Sequence, residues 1–250
     1  MRYNIRSGYE TNSSSKHAIV RTTKNMGARM TQKEIRAEFW LDEEWSRSKN
    51  KDGKEVVELY NKYEGEFGRS PFSVLYTFRD KLLYYLASFC GNNYSIESYI
   101  EADKIYDETV LPVITRLIGC YDVIVDTDYK PFYIYADKEC KYLDEAEEVP
   151  YEKLVYREDR DEDGEIYEEF DADNRPIERV FFDVPDYGAI DHKSIGVLNK
   201  FLADNDMSLE EYLTRKDVVV IIDGDETNVF SGLIEAGLVD RKSFISYTGE

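Results

Sequence analysis

The run Val218-Val219-Val220-Ile221-Ile222 constrains this chain more than any other segment. Five consecutive β-branched residues leave no polar face, so the run reads as a strand covered by other elements on both sides. The chain supplies a cover. Val74, Leu75, Phe78, Leu82, Leu83, Tyr85, Leu86 and Phe89 recur at helical spacing after Ser70-Pro71, which has the form of a Ser cap with Pro at the first helical position. Ended by Gly91-Asn92-Asn93, this segment is expected to be the central core helix.

The remaining periodicity gives an order of elements. Residues 3–6 and 17–21 alternate as strands. Thr31-Gln32-Lys33-Glu34 has the capping-box form and opens a helix carrying Ile35, Phe39 and Trp40. After a charged turn at 49–53, residues 55–67 read as a second helix. Residues 95–119 read as one helix or a pair, with a boundary or kink at Pro112. Alternation at 121–125 and 132–135 predicts a hairpin turning at 126–131, and 154–157, 165–170 and 178–184 predict further antiparallel strands. Helices follow at 191–205 and 208–214, the second capped by Ser208 with Glu211. Beyond the buried strand come a short helix at 228–236 and an edge strand at 244–247. Strands, helices, strands, helix, strand is the order of an α+β fold. The expectation is a mainly antiparallel mixed sheet packed with a cluster of helices in a single compact domain, with an acidic hairpin or insertion at 144–175.

Charge narrows the function classes. Lys+Arg 32 against Asp+Glu 52 gives a net charge of −20. A field of that sign repels nucleic acid and anionic lipid, so direct nucleic-acid binding is disfavoured, and it attracts basic partners. The distribution is uneven. Residues 1–36 hold eight basic residues against Glu10 and Glu34, net +6, whereas residues 137–191 hold 21 acidic and seven basic residues, net −14. Either the two regions attract each other, or the basic segment is where an anionic ligand sits.

Cys90, Cys120 and Cys140 are widely spaced and form no CxxC, so neither a disulfide framework nor a zinc knuckle follows. The N-terminus has no apolar signal segment, and Arg79, Asp80 and Lys81 interrupt the longest apolar stretch, so no membrane span is expected and the location expected is the cytoplasm. No G-x-S-x-G, H-E-x-x-H or G-x-G-x-x-G run occurs, no cofactor is implied, and catalysis is left open.

The most distinctive segment is Arg6-Ser7-Gly8-Tyr9-Glu10-Thr11-Asn12-Ser13-Ser14-Ser15-Lys16-His17. It resembles the N-terminal signature R-x-G…E-T-N-S-S-S-x-H of uncharacterised bacteriophage and bacterial proteins. The resemblance covers about a dozen residues and implies a phage or bacterial origin and a shared N-terminal element, but no reaction. Physically, Asn12, Ser13, Ser14, Ser15 and Lys16 offer backbone N–H groups, hydroxyls and an ammonium that suit a phosphate or carboxylate. The same side chains also suit turns that bond their own backbone. His17, with Glu10 nearby in sequence, is a candidate acid or base, and equally a buried histidine bonded to a carbonyl.

Two acidic segments complete the candidates. Asp223 and Asp225 close the buried strand and open a helix, a location favoured for ligand sites and also ordinary for turn and cap residues. Asp159, Asp161 and Asp163 begin like a calcium loop, but Phe170 stands where the bidentate Glu belongs, so residues 158–175 are expected as an exposed, mobile hairpin without calcium. The expected function is a phage-type cytoplasmic accessory protein that binds a host or phage protein, in particular a host protein with a basic surface. The alternative is an enzyme or ligand-binding domain for a small phosphorylated or nucleotide-like molecule.

Overall fold

A computed structural model describes residues 16–39, 45–60, 66–67, 73–90, 95–154, 157–160, 166–190, 195–223, 229–238 and 245–248. Their order is β1 (Lys16–Arg21), α1 (Gln32–Glu38), β2 (Trp45–Lys49), β3 (Glu55–Leu59), β4 (Glu66–Phe67), β5 (Ser73–Leu75), α2 (Phe78–Cys90), α3 (Ile96–Ile105), α4 (Leu111–Ile118), β6 (Asp122–Val125) and β7 (Thr127–Tyr135). Then follow β8 (Arg157–Arg160), β9 (Ile166–Phe170), β10 (Pro176–Pro185), β11 (Ala189–Ile190), α5 (Ile195–Asp204), α6 (Leu209–Thr214), β12 (Val218–Asp223), α7 (Val229–Glu235) and β13 (Ile245–Thr248). The fold is α+β, with mainly antiparallel sheets. The expected strand at 3–6 lies outside the described residues.

The apolar run becomes β12, inside the antiparallel sheet β13-β1-β12-β5. Both its faces are covered. Val218, Val220 and Ile222 join Ile19 in the main core, while Val219 and Ile221 pack with Ala18, Val20 and Leu233 of α7. Burying each of these side chains contributes roughly 1.5–3 kcal/mol, which makes β12 the apolar axis of the molecule. The main core runs without a break from Ile19 to Ile222 and takes Phe78, Leu82, Leu83, Tyr84, Tyr85, Leu86 and Ala87 from α2.

Three expectations are corrected. The core helix starts at Phe78, not at Ser70: Ser73–Leu75 is β5, paired with Val220–Ile222. Its N-terminus is capped twice, locally by Thr77 Oγ1, which accepts from Asp80 N–H, and from a distance by the Glu38 carboxylate, which accepts from the Phe78 and Arg79 N–H groups. The helix expected at 55–67 is instead the strand β3 and, after residues outside the described set, β4. Val56, Val57 and Leu59 are buried, and β3 pairs with β2 on one side and, in parallel, with β6 on the other. Tertiary pairing overrides local helical spacing there.

The hairpin expected across 121–135 does not form, since β6 pairs with β3 whereas β7 pairs over nine residues with β10. Asp126 alone separates these strands of different sheets. The boundary expected at Pro112 is present, in a pair of helices. A π-helical stretch, Tyr106–Val110, joins α3 to α4, and Pro112 sits in the first turn of α4. Gly119 ends α4 at φ 76°, a left-handed conformation that favours glycine.

Other local expectations hold. Both capping boxes, Thr31 with Glu34 and Ser208 with Glu211, are formed, and β13 lies at a sheet edge beside β1. Strands β8 and β9 form an antiparallel hairpin with an irregularity between Asp159 and Arg160, and the strand expected at 154–157 starts at Arg157 instead. The hairpin's base is not exposed throughout: Asp171 is buried and accepts from Asp173 N–H, Arg175 N–H and Tyr135 Oη. Among the described residues, no helix is long and apolar enough to cross a membrane.

Candidate functional site at the two ends of the central sheet

The antiparallel register of β1 against β12 sets Lys16 opposite Asp223. On the other side of β1, Lys16 is opposite Thr248, and His17 lies between Ile222 and Tyr247. Neighbouring strands run about 4.8 Å apart, so the last residue of the Ser-rich segment and the last of the buried strand lie within one small ligand's width. These two positions are far apart in the chain, and the sheet brings them together. Glu10, Asn12, Ser13, Ser14, Ser15 and Asp225 lie outside the described residues.

The opposite end of β12 holds a cluster that periodicity did not reveal. Asp217, fully buried, accepts from Arg215 Nε at 2.9 Å and Arg215 Nη2 at 2.7 Å, and from Arg21 Nε at 3.3 Å. Burial raises the Asp217 pKa, but the Arg215 hydrogen bonds and charge, joined by Arg21, carry it below the ordinary carboxylate value. Beside it, Lys81 of α2 is buried, with its Nζ donating to the Arg215 carbonyl at 2.9 Å and lying 6.0 Å from the Tyr212 ring. Burial pulls the Lys81 pKa down from 10.5 to about 7, against the opposing charges of Glu38, Asp217 and Asp80. Burial likewise raises the Glu38 pKa. The interruption of an apolar stretch by Arg79-Asp80-Lys81 was the one sequence signal for this cluster.

The basic N-terminal segment does not pair with the acidic region at 137–191 in the described contacts. Arg21 pairs with Asp217, Arg29 with Glu210 and Glu211, and Arg36 with Glu55. The acidic region pairs within itself: Arg175 bridges Asp137 and Glu147, Lys138 pairs with Glu147, and Lys153 with Asp173. A shallow hollow on α1 is lined by Gln32, Lys33, Arg36 and Ala37, but Arg36 is held by Glu55 and by the Ile118 carbonyl.

Aromatic side chains occupy solvent-facing sheet positions. Tyr129 on β7 and Phe181 on β10 are 62% and 43% exposed and stack with centroids 5.2 Å apart at 9°. Tyr121 and Ile124 are exposed at β6. Of the calcium-like carboxylates, Asp159 lies on β8 opposite Glu168, while Asp161 and Asp163 lie outside the described residues. Among the described residues, no group of three or more His, Cys, Asp and Glu is placed to hold a metal ion.

No family model matches the chain, and neither a curated protein nor a solved structure does.

Proposed function

We propose that this chain acts in the bacterial cytoplasm as a phage-type accessory protein that binds a protein partner with a basic surface. The observation that carries this reading is the exposure of Ile124, Tyr129 and Phe181 on sheet faces, and of Tyr121 just before β6, in a molecule with net charge −20. Exposed aromatic side chains supply contact area at low entropy cost, and the acidic field steers a basic partner towards them. Capture from host lysate at about 50 and 300 mM salt tests the reading, because screening shortens the Debye length across that range. A partner held at low salt and released at high salt is the expected result. Capture indifferent to salt, or none, overturns it.

A second reading rests on the register of Lys16 against Asp223. It makes that end of the central sheet a site for a small phosphorylated or nucleotide-like molecule, with Lys16 and His17 on β1 and the acidic strand end on β12. A thermal-shift screen of nucleotides, phosphosugars and divalent ions tests it. A ligand at 100 times its dissociation constant stabilises by about 2.7 kcal/mol, and Lys16→Ala should abolish the shift. A screen without any shift removes this reading.

A further inference from the structure

We propose that the outer face of the β7–β10 ladder, at Tyr129, Phe181 and Asp183, docks an arginine-bearing segment of a basic protein partner. The inference rests on the basic-partner reading and gives it a place and a chemistry. Four observations support it.

The first is the stack itself. Arg179 places its guanidinium carbon 5.2 Å from the Phe181 ring centroid, and Tyr129 stacks on Phe181. The chain thus already seats one guanidinium on Phe181, the arrangement that cation–π attraction favours. The second is what Tyr129 lacks. Elsewhere the chain's own cations cover two rings, Lys54 over the exposed Tyr121 at 4.1 Å and Arg175 over the buried Tyr135 at 3.4 Å. Among the described residues, no cation lies over Tyr129.

The third concerns charge. Asp183 is directly opposite Tyr129 in the register, is exposed, and has no cation partner among the described residues. A guanidinium on the Tyr129 ring therefore finds a carboxylate beside it, and guanidinium, being planar and weakly hydrated, suits both contacts better than ammonium. The fourth decides between face and edge. β7 is the edge strand of its sheet, yet Thr127 N–H and Tyr129 N–H donate to the carboxylates of Asp126 and Asp128. Donors capped in this way block the addition of another strand, so recognition falls to the side chains. A second copy of this chain fits the face less well, since each copy carries −20.

The test uses fluorescein-labelled nona-arginine and nona-lysine peptides, titrated by anisotropy against the wild type, Tyr129→Ser/Phe181→Ser and Asp183→Asn. Wild type should bind nona-arginine about fivefold more tightly than nona-lysine. The double variant should lose about tenfold in nona-arginine affinity together with that preference, and Asp183→Asn about threefold. Both rings are exposed, so folding should survive, and Tyr129→Ser alone serves if the double variant does not fold. Equal binding of the two peptides by wild type, or unchanged binding by the aromatic variants, overturns the docking site. If the double variant still captures a salt-sensitive lysate partner, the docking site falls and the basic-partner reading stands. If wild type captures nothing and binds neither peptide, both fall. A dimer that the double variant dissociates, seen by sedimentation, would make a second copy the occupant and overturn the inference.

Discussion

The carboxylate of Glu38, the last residue of α1, caps α2: Oε1 accepts from Phe78 N–H at 3.3 Å and Oε2 from Arg79 N–H at 3.0 Å. The first N–H groups of a helix have no partner within it, and a carboxylate there also meets the positive end of the helix dipole. Glu38→Ala should lower stability by about 1 kcal/mol in urea unfolding, and Glu38→Gln by less, since an amide oxygen still accepts. An unchanged midpoint for Glu38→Ala would show that Thr77, whose Oγ1 accepts from Asp80 N–H at 3.0 Å, caps the helix unaided.

Lys81 makes stability depend on pH in a defined direction. Its folded pKa, about 7, lies below the ordinary 10.5, so between these values the unfolded chain binds more protons than the folded one. Stability from this group therefore rises with pH over that window, by up to about 1.4 kcal/mol per unit, and is flat below it. Urea unfolding at pH 7.5 and 9.5 should show wild type gaining relative to Lys81→Met, which carries no titrating group. The comparison is the relevant quantity because Cys120, whose pKa burial raises, titrates in the opposite sense. Parallel pH profiles for the two proteins would refute a neutral buried amine.

Asp217 acts with the opposite sign. With its folded pKa depressed by Arg215 and Arg21, its contribution is present above the unfolded pKa near 3.8 and is lost as pH falls through the folded value. Asp217→Asn leaves two guanidinium groups facing a neutral amide and should destabilise by about 3 kcal/mol at neutral pH. The loss should shrink towards pH 3. Equal stability of variant and wild type at pH 7 would place the arginine charges in water rather than on Asp217.

The acidic hairpin gives a prediction about calcium. Phe170 occupies the position where a bidentate carboxylate completes a calcium cage, so adding calcium should leave the thermal midpoint unchanged. Changing Asp159, Asp161 and Asp163 to Asn should leave folding intact and weaken capture of a basic partner if this hairpin contributes to it. A calcium-dependent rise in the midpoint that the triple variant abolishes would reverse the reading.

At the base of the same hairpin, Asp171 accepts from two backbone N–H groups and from Tyr135 Oη while nearly buried. Asp171→Ala leaves those donors unsatisfied and should cost about 1–3 kcal/mol. Asn174 sits at φ 63°, so Asn174→Gly should be tolerated at the same turn. Chemical denaturation of the two variants separates the effects.

The sequence by itself determined the elements whose signal is local. Val218–Ile222 has no polar face and had to be covered on both sides, and Thr31 with Glu34 and Ser208 with Glu211 close hydrogen bonds within one turn. Tertiary structure decided whatever depended on partners distant in the chain. Residues 55–59 read locally as part of a helix and became a strand because β2 and β6 flank them. Residues 121–135 have strand periodicity, but periodicity does not choose partners, and β6 and β7 went to different sheets. The same division holds for the candidate sites. Lys16 and Asp223 could each be singled out in the sequence, but only the β1–β12 register makes them neighbours. The burial of Lys81 and Asp217 was not legible in the sequence, because burial of an ionisable group depends on which elements close over it, and that is a property of the packed chain.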